Sequence, residues 1–507
     1  MSDKLWDLHA DPIVSMDGAV TTILSIHYNL AIGMIGPLLH ARPDLAPLIQ
    51  KLGQYMLTEI DHGLDGRQIE TTATLLPDGH IDLHTPHAGA AKYMPPVTTI
   101  SGMPTIGVVF SRLVVEGKFH GIRAVMVSLT DGKNMCKGVS SRMVPHRSGA
   151  KPLDHSVTFF DHVRLPPGSV SGSLEQSLNV RADFLKSMWR VPTGGLALSI
   201  MTIPFLRVGV YIAGKYSLRR MVSGGDKSTD MVPIIDFRTQ QLPVLHGLAQ
   251  IHVFDAFSKA AIPEFRNTNL SMSLRHAIST IFKATSQEHC QSTLFLLAER
   301  CGAQGLFGYN QIMRGQADMR GACIAEGDIL ALSIRLVSEL LQAKYTLPIA
   351  KYPDCLLYQH EKGLWMEVQA CYMRLDGAHR GRAFNHTILP LCRPLVESIG
   401  HRMAWEAAVD AGVDCDLVQL YEARAIKVDS SWYVENGLMN RWEQHDMEAI
   451  AADKVLPDLE HYLDCLGVAD YATSPILSKS RWNDFVNALP HFDRDGIETE
   501  WTAYCKC

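Results

Sequence analysis

The chain has 507 residues, 47% of them hydrophobic, which is enough to bury more than one core and unlike a disordered chain. Its formal net charge is only −6 and it has no polybasic block, which argues against a nucleic-acid partner or an anionic membrane surface. Eleven cysteines are scattered without a C-x-x-C pair or recurring spacing, so they read as reduced core thiols of an intracellular protein, with no disulfide framework and no metal site.

The start, Met1 to Trp6, has no basic stretch leading into an apolar one and hence no secretory signal. Residues Ala19 to Leu57 read as two amphipathic helices. Ile23, Ile26, Leu30 and Met34 recur at helical spacing, and Pro43 opens a second segment with Leu45, Leu48, Ile49 and Leu52. From Thr58 to about Pro167 the pattern changes to β-branched runs such as Ile106 to Phe110 and Ile122 to Val127, punctuated by turns at Pro77-Asp78-Gly79 and Thr130-Asp131-Gly132. This predicts a small β-barrel-like domain. After Pro166-Pro167-Gly168 the helical period returns and continues to about Leu489, with a division near Tyr352-Pro353-Asp354. The most apolar window, Val191 to Tyr211, is interrupted by Pro192, Pro204 and Arg207, which argues against a membrane span. The expected fold is therefore α+β: a short helical region at 1–57, a central β-domain at 58–170, and helical domains at 171–350 and 351–507.

Two segments about 270 residues apart carry the chemistry: Tyr55-Met56-Leu57-Thr58-Glu59-Ile60-Asp61-His62-Gly63 and Cys323-Ile324-Ala325-Glu326-Gly327-Asp328. Removing a proton next to a carbonyl needs a carboxylate beside that carbon, and an apolar setting makes the carboxylate a stronger base once ionised. Cys323, Ile324 and Ala325 are read as supplying that setting for Glu326. On helix grounds alone, Glu326 decorates the start of a helix from Asp328 to Leu341 with Asp328 as N-cap. Cys301-Gly302-Ala303-Gln304-Gly305 offers a turn whose amides suit phosphate oxygens, although such a pair of glycines is usually a helix C-cap. No Gly-x-Gly-x-x-Gly follows a strand, so no Rossmann dinucleotide site is present.

Taken in order, Ala10 to Gly18, the two segments above, Asp154 to Pro166, Tyr216 to Arg220 and Ile234 to Gln241 resemble the acyl-CoA oxidase and dehydrogenase superfamily, nearer the oxidases. The resemblance implies an FAD-dependent oxidase or desaturase that takes an α-proton and a β-hydride from an acyl-CoA or similar carbonyl substrate, oxygen then reoxidising the flavin to give hydrogen peroxide. Glu326 matches the catalytic base. Leu57, Thr58, Pro95 and Asp328 match cofactor-binding positions, Thr58 lying where a hydroxyl and an amide meet the flavin ring. Lys92-Tyr93-Met94-Pro95 resembles the stretch behind the flavin, where glycines normally follow in place of Pro96-Val97-Thr98. Arg220 matches an arginine that reaches the pyrophosphate, Gly302, Gln304 and Gly305 match its loop, and Arg238 stands where glutamine is usual.

The family builds its FAD site across two subunits, so a homodimer is implied. The segment before Thr58 is shorter than the family's, which opens a second reading, a tailoring enzyme acting on a polyketide-like carbonyl compound. A third is a structural or regulatory paralogue without chemistry. The last residues, Tyr504-Cys505-Lys506-Cys507, are not a Ser-Lys-Leu type address, leaving a cytoplasmic or peroxisomal location as the expectation.

Overall fold

In the computed structural model, which describes residues 2–224, 230–375 and 381–492, helices α1 (Asp3–Ala10) and α2 (Gly18–Ser25) open the chain. Asp17 caps α2, accepting from the N–H groups of Ala19 and Val20 at 2.8 and 3.0 Å. The helix then widens to a π-helix at Ile26–Ala31 and continues as α3 (Ile32–Ile35). The second amphipathic helix expected after Pro43 is instead a 3-10 helix, Pro43–Gln50, and Leu52 begins strand β1 (Leu52–Met56). Pro47 removes an interior donor, which shortens any α-helix there.

The strands that follow are β2 (Thr72–Leu75), β3 (Ile81–His84), β4 (Lys92–Pro96), β5 (Thr105–Val115), β6 (Lys118–Thr130), β7 (Val139–Met143), β8 (His155–Phe160) and β9 (Val163–Leu165). They form a curled six-stranded sheet in the order β1-β5-β2-β3-β9, with β6 antiparallel to β5, and a three-stranded sheet β4-β8-β7. Period-two alternation decides what each face of β5 buries. Val109 and Leu113 join the core shared with the smaller sheet, while Ile106, Val108 and Phe110 pack with Ala31, Ile35 and Leu45 of the N-terminal segment. β1 lies so close to that segment that a Cβ at Gly53 would overlap Ala31, and the Gly53 N–H donates to His27 Nδ1 at 3.0 Å.

One buried ion pair ties the end of β1 to β4. The Lys92 Nζ donates to Glu59 Oε1 at 2.9 Å and to the Leu57 carbonyl at 3.2 Å, both side chains being fully buried. Glu59 also accepts from the backbone N–H groups of Glu70 and Thr71 at 2.7 and 2.9 Å. Burial alone would raise the Glu59 carboxyl, but the Lys92 ammonium and these N–H groups hold it below the usual carboxylate range. Burial pushes Lys92 down to about 8, so the pair is charged at neutral pH.

The helical part begins with α4 (Val180–Ser187), α5 (Arg190–Ile200) and α6 (Thr202–Arg219). Pro192 and Pro204 mark helix starts and not internal kinks: each falls in the first turn of its helix, where no intrahelical donor is lost, and only Met201 separates α5 from α6. The segments Arg190–Arg219 and Gly18–Leu38 are each long and apolar enough to cross a membrane, but 83% of the first segment's apolar window is buried inside the fold. A short hairpin, β10 (Met221–Ser223) with β11 (Met231–Pro233), leads into α7 (Arg238–Arg266), α8 (Met272–Arg300), α9 (Ile312–Ile324) and α10 (Ile329–Leu341). After residues 342–355 come α11 (Leu356–Met373), α12 (Arg382–Thr387), α13 (Leu389–Asp410), α14 (Cys415–Val428), α15 (Ser430–Glu435), α16 (Arg441–Val455), α17 (Leu459–Cys465) and α18 (Lys479–Asn487). One apolar core runs from Trp6 and Val14 through α5 to α10 and on to Leu463, without a break at Tyr352-Pro353-Asp354.

The nine described cysteines are free. Cys290, Cys301 and Cys392 are buried as the core reading requires, whereas Cys415 and Cys465 are exposed. Cys505, Cys507 and the rest of the terminal tetrapeptide lie outside the described residues.

Lys92→Met strands Glu59 in the interior and is expected to cost about 3–5 kcal/mol of stability, whereas adding Glu59→Gln removes the stranded charge, leaves an amide oxygen to accept from the backbone, and recovers part of that loss. Urea unfolding of the three proteins measures it. Equal midpoints for wild type and Lys92→Met would show that the pair carries no stability.

Candidate functional site

Glu326 lies in the four-residue break, Ala325 to Asp328, between α9 and α10. Its backbone is left-handed, φ +57°, and Gly327 follows at φ +105°, so the chain turns sharply at a residue with a Cβ, a conformation costing about 1–2 kcal/mol. Lys283, in the middle of α8, holds the turn. Its buried Nζ donates to the Ala325 carbonyl at 2.6 Å and to the Gly327 carbonyl at 2.7 Å, one on each side of Glu326. Asp328 is the N-cap of α10 as read from the sequence, its Oδ1 accepting from the Ala331 N–H at 3.1 Å.

The turn presses the carboxyl of Glu326 against α5. A Cβ at Gly194 would overlap the Glu326 carboxylate, so a side chain there would push the carboxyl and the Asn29 amide aside. Asn29, fully buried on the π-helix, donates from Nδ2 to Glu326 Oε2 at 3.3 Å and Oε1 at 3.5 Å. Asn29 is in turn held by Arg190, whose Nε donates to the Asn29 carbonyl at 2.7 Å and whose Nη2 donates to Oδ1 at 2.5 Å. Burial pushes the Glu326 carboxyl well above the usual carboxylate range, opposed by the Lys283 charge, the Asn29 hydrogen bond and the Arg190 charge. Burial likewise lowers Lys283 and brings Arg190 down to about 10, in both cases opposed by the charge of Glu326.

The source of desolvation differs from the sequence expectation. Ile324 is 65% exposed and Ala325 is also exposed, so of the three residues before Glu326 only Cys323 turns inward, packing against the helical core. The low-polarity wall is α5 at Gly194. Tyr55 of β1 completes the surroundings: its buried hydroxyl has no hydrogen-bond partner, and burial followed by the Glu326 charge pushes it up.

The predicted site residues fall into two groups. Leu57, Thr58 and Pro95 form a corner of the β-domain at the end of β1, where the Thr58 carbonyl accepts from the Tyr93 N–H at 3.0 Å. Tyr55, two residues before Leu57 on the same strand end, is near enough to Glu326 to feel its charge. Arg220, Arg238 and the 302–305 loop gather elsewhere. Gln240 joins them, donating from Nε2 to the Arg300 carbonyl at 3.0 Å and to Ser217 Oγ at 2.8 Å. Gly302 is nineteen residues beyond Lys283 along α8, about 28 Å at the helical rise, so in one copy of the chain the two groups are not one site.

Within the second group the fit to a phosphate-bearing cofactor is uneven. Gly302 has φ +59° with open space beyond it, and Arg220 is exposed, with no carboxylate partner among the described residues. Gly305 packs its Cα against the Ala298 carbonyl, a close approach that requires glycine. The Gln304 side chain turns inward, its Oε1 accepting from Tyr309 and Asn310 at 3.2 and 3.1 Å. Arg238 is engaged with Asp453 of α16, leaving Nη1 buried and unpartnered. Gly302 and Arg220 therefore suit a phosphate, while Gln304 and Arg238 are already occupied.

Sequence reasoning missed Asn29, Arg190, Gly194 and Lys283. Lys283 carried a signal, since it is the lone charge between Arg275 and Glu288 in a run that is otherwise apolar or neutral. Asn29 and Arg190 carried none, because their pairing depends on contacts 161 residues apart.

This fold, a curled sheet between an N-terminal helical segment and a large helical core, is that of the acyl-CoA oxidases. The structure of acyl-CoA oxidase 1 from Yarrowia lipolytica superposes with a TM-score of 0.81, covering 96% of this chain and 82% of that one at 20% identity. Acyl-CoA oxidase-2 of Caenorhabditis elegans, bound with FAD, ascaroside-CoA and ATP, superposes with a TM-score of 0.79, covering 94% and 81% at 17% identity. Residues 197–341 match the family model "Acyl-CoA oxidase, C-alpha1 domain". Human peroxisomal acyl-coenzyme A oxidase 3 is 26% identical over 304 residues, 54% of this chain and 43% of that protein. Acyl-coenzyme A oxidase 1 of Yarrowia lipolytica is 24% identical over 385 residues, 69% of this chain and 55% of that protein. The matches thus span about half the length of these curated relatives. In fold, and in sequence over residues 197–341, the chain is similar to the acyl-CoA oxidases.

Lys283→Met removes a charge-assisted donor from two carbonyls and is expected to cost about 2 kcal/mol or more, with faster proteolytic cleavage at residues 323–328. Thermal unfolding and limited proteolysis measure this. An unchanged cleavage rate would show that the turn holds without the lysine.

Proposed function

We propose that the chain is an FAD-dependent, acyl-CoA oxidase-like enzyme in which Glu326 removes the α-proton of a carbonyl-activated substrate. The observation that carries this reading is the environment of the Glu326 carboxyl: desolvated against Gly194, yet faced by Lys283 and Arg190. Burial strengthens the carboxylate as a base, and the neighbouring cations keep a fraction of it ionised, which is what abstraction from a weakly acidic carbon requires. The names of the relatives support acyl-CoA as the substrate class and oxygen as the final electron acceptor.

FAD is supported by the relatives whose solved structures contain it. When bound, it supplies the acceptor for the β-hydride and passes the electrons to oxygen, giving hydrogen peroxide. Leu57, Thr58 and Pro95 would hold its ring side from the β-domain corner. Arg220, Gly302 and Gly305 would hold its phosphates, with Gln304 and Arg238 as supports of that loop and of α7. Because these groups are separate in one copy, the proposal includes a homodimer, each site drawing one group from each copy. Asp328 enters as the cap that starts α10 directly after the base.

A second reading is favoured by Asn29 and Arg190, which place polar groups beside Glu326 on the N-terminal side. It is a tailoring enzyme acting on a polyketide-like carbonyl compound. Bleaching of the flavin by a panel of acyl-CoAs of increasing length separates the two, the first requiring reduction by at least one thioester.

In the same assay Glu326→Gln is expected to keep its yellow colour and its fold but to lose flavin reduction by about 10²- to 10⁴-fold, the usual effect of deleting a general base. Bleaching at the wild-type rate would remove Glu326 from the chemistry. Colourless wild-type protein that cannot be reconstituted with FAD would favour the non-catalytic paralogue.

A further inference from the structure

The Asn29 amide has only one workable orientation. A guanidinium carries donors and no acceptor, so Arg190 must face oxygen. Its Nε and Nη2 take the Asn29 backbone carbonyl and Oδ1. That leaves Nδ2 to the Arg190 carbonyl at 3.3 Å and to the Glu326 carboxylate at 3.3 Å. A flipped amide would set oxygen against the carboxylate and NH2 against the guanidinium, repulsive at both ends. The guanidinium is itself pinned: its Cζ lies 4.6 Å over the Trp189 ring, and a Cβ at Gly33 would overlap it.

We propose that Asn29 is the positioning residue of Glu326, oriented by Arg190, so that the amide N–H fixes the carboxylate in place and favours its ionised form. The kinetic consequence rests on Glu326 being the base; the positioning is a property of the carboxyl whatever its chemistry. Glu326 is also faced by Lys283 from α8, Arg190 from α5 and Tyr55 from β1, while Cys323 and Asp328 face Lys283. Asn29 differs from all of these in being neutral at every pH, and it hydrogen-bonds the carboxylate directly. Its contribution is therefore separable from theirs.

The test is the titration of Glu326 in the purified full-length chain without substrate, read by carboxyl infrared difference spectra with Glu326→Gln assigning the band. Asn29→Leu is expected to raise the midpoint by about one pH unit, a loss of ionised carboxylate that approaches tenfold well below the midpoint. Asn29→Asp, which brings a second carboxylate to the same place, is expected to raise it further. Arg190→Lys should also raise it although the positive charge is kept, because a point cation cannot hold both Asn29 oxygens as a planar fork does.

Asn29→Ser, too short to reach the carboxylate, stands in if Asn29→Leu does not fold. Midpoints unchanged in the Asn29 variants would overturn the proposal, and an unchanged midpoint in Arg190→Lys would overturn the part played by the arginine. If the midpoints move as stated while no acyl-CoA bleaches the flavin of the wild type, the positioning stands and the proposed activity fails.

Discussion

Two hydrogen bonds from one ammonium set the geometry on which the rest of the site depends. Lys283 reaches from the middle of a buried helix to the carbonyls on both sides of Glu326. Those bonds hold the left-handed backbone at 326, while the packing of α9 and α10 into the helical core fixes the helices on either side. The lysine does a second thing from the same place. Its charge opposes the effect of burial on Glu326, so the group that fixes the turn also tunes the carboxyl. Geometry and basicity are set together.

The N-terminal segment is bound into the same construction. The π-helix at Ile26–Ala31 puts His27 on the backbone of β1 and Asn29 on Arg190 and Glu326. Gly53 allows the strand to lie against that helix, and Gly194 allows the carboxyl to lie against α5. Both glycines are used for close approach, where any side chain would force the elements apart. The β-domain, the first helices and the large helical core thus meet at Glu326 through contacts whose tolerances are a single methyl group.

Much of the fold was legible because it rests on periodicity. The β-branched run from Ile106 to Phe110 and the long helical run after Gly168 are local patterns, and they appear as β5 and as α4 to α18. The errors are equally local. Leu52 was counted with a helix because a single apolar residue fits either period, and the pairing of β1 with β5, 53 residues away, decided for the strand. Pro192 and Pro204 looked like breaks because a sequence does not show where a helix begins. At the site, Glu326 and its Asp328 cap could be read from one segment. Asn29, Arg190 and Lys283 could not be joined to them, since hydrogen bonds spanning 42 to 297 residues leave no spacing to detect.

The central claim is that Glu326 is a largely desolvated base whose carboxyl lies above the ordinary carboxylate range. The most direct test is the rate of anaerobic flavin bleaching by a saturating acyl-CoA as a function of pH. A base must be ionised to act, so the rate should be low in mild acid and rise with pH to a plateau, through an apparent pKa clearly above that of an ordinary glutamate. A rate already at its plateau in mild acid would mean an unperturbed carboxylate and would contradict the account.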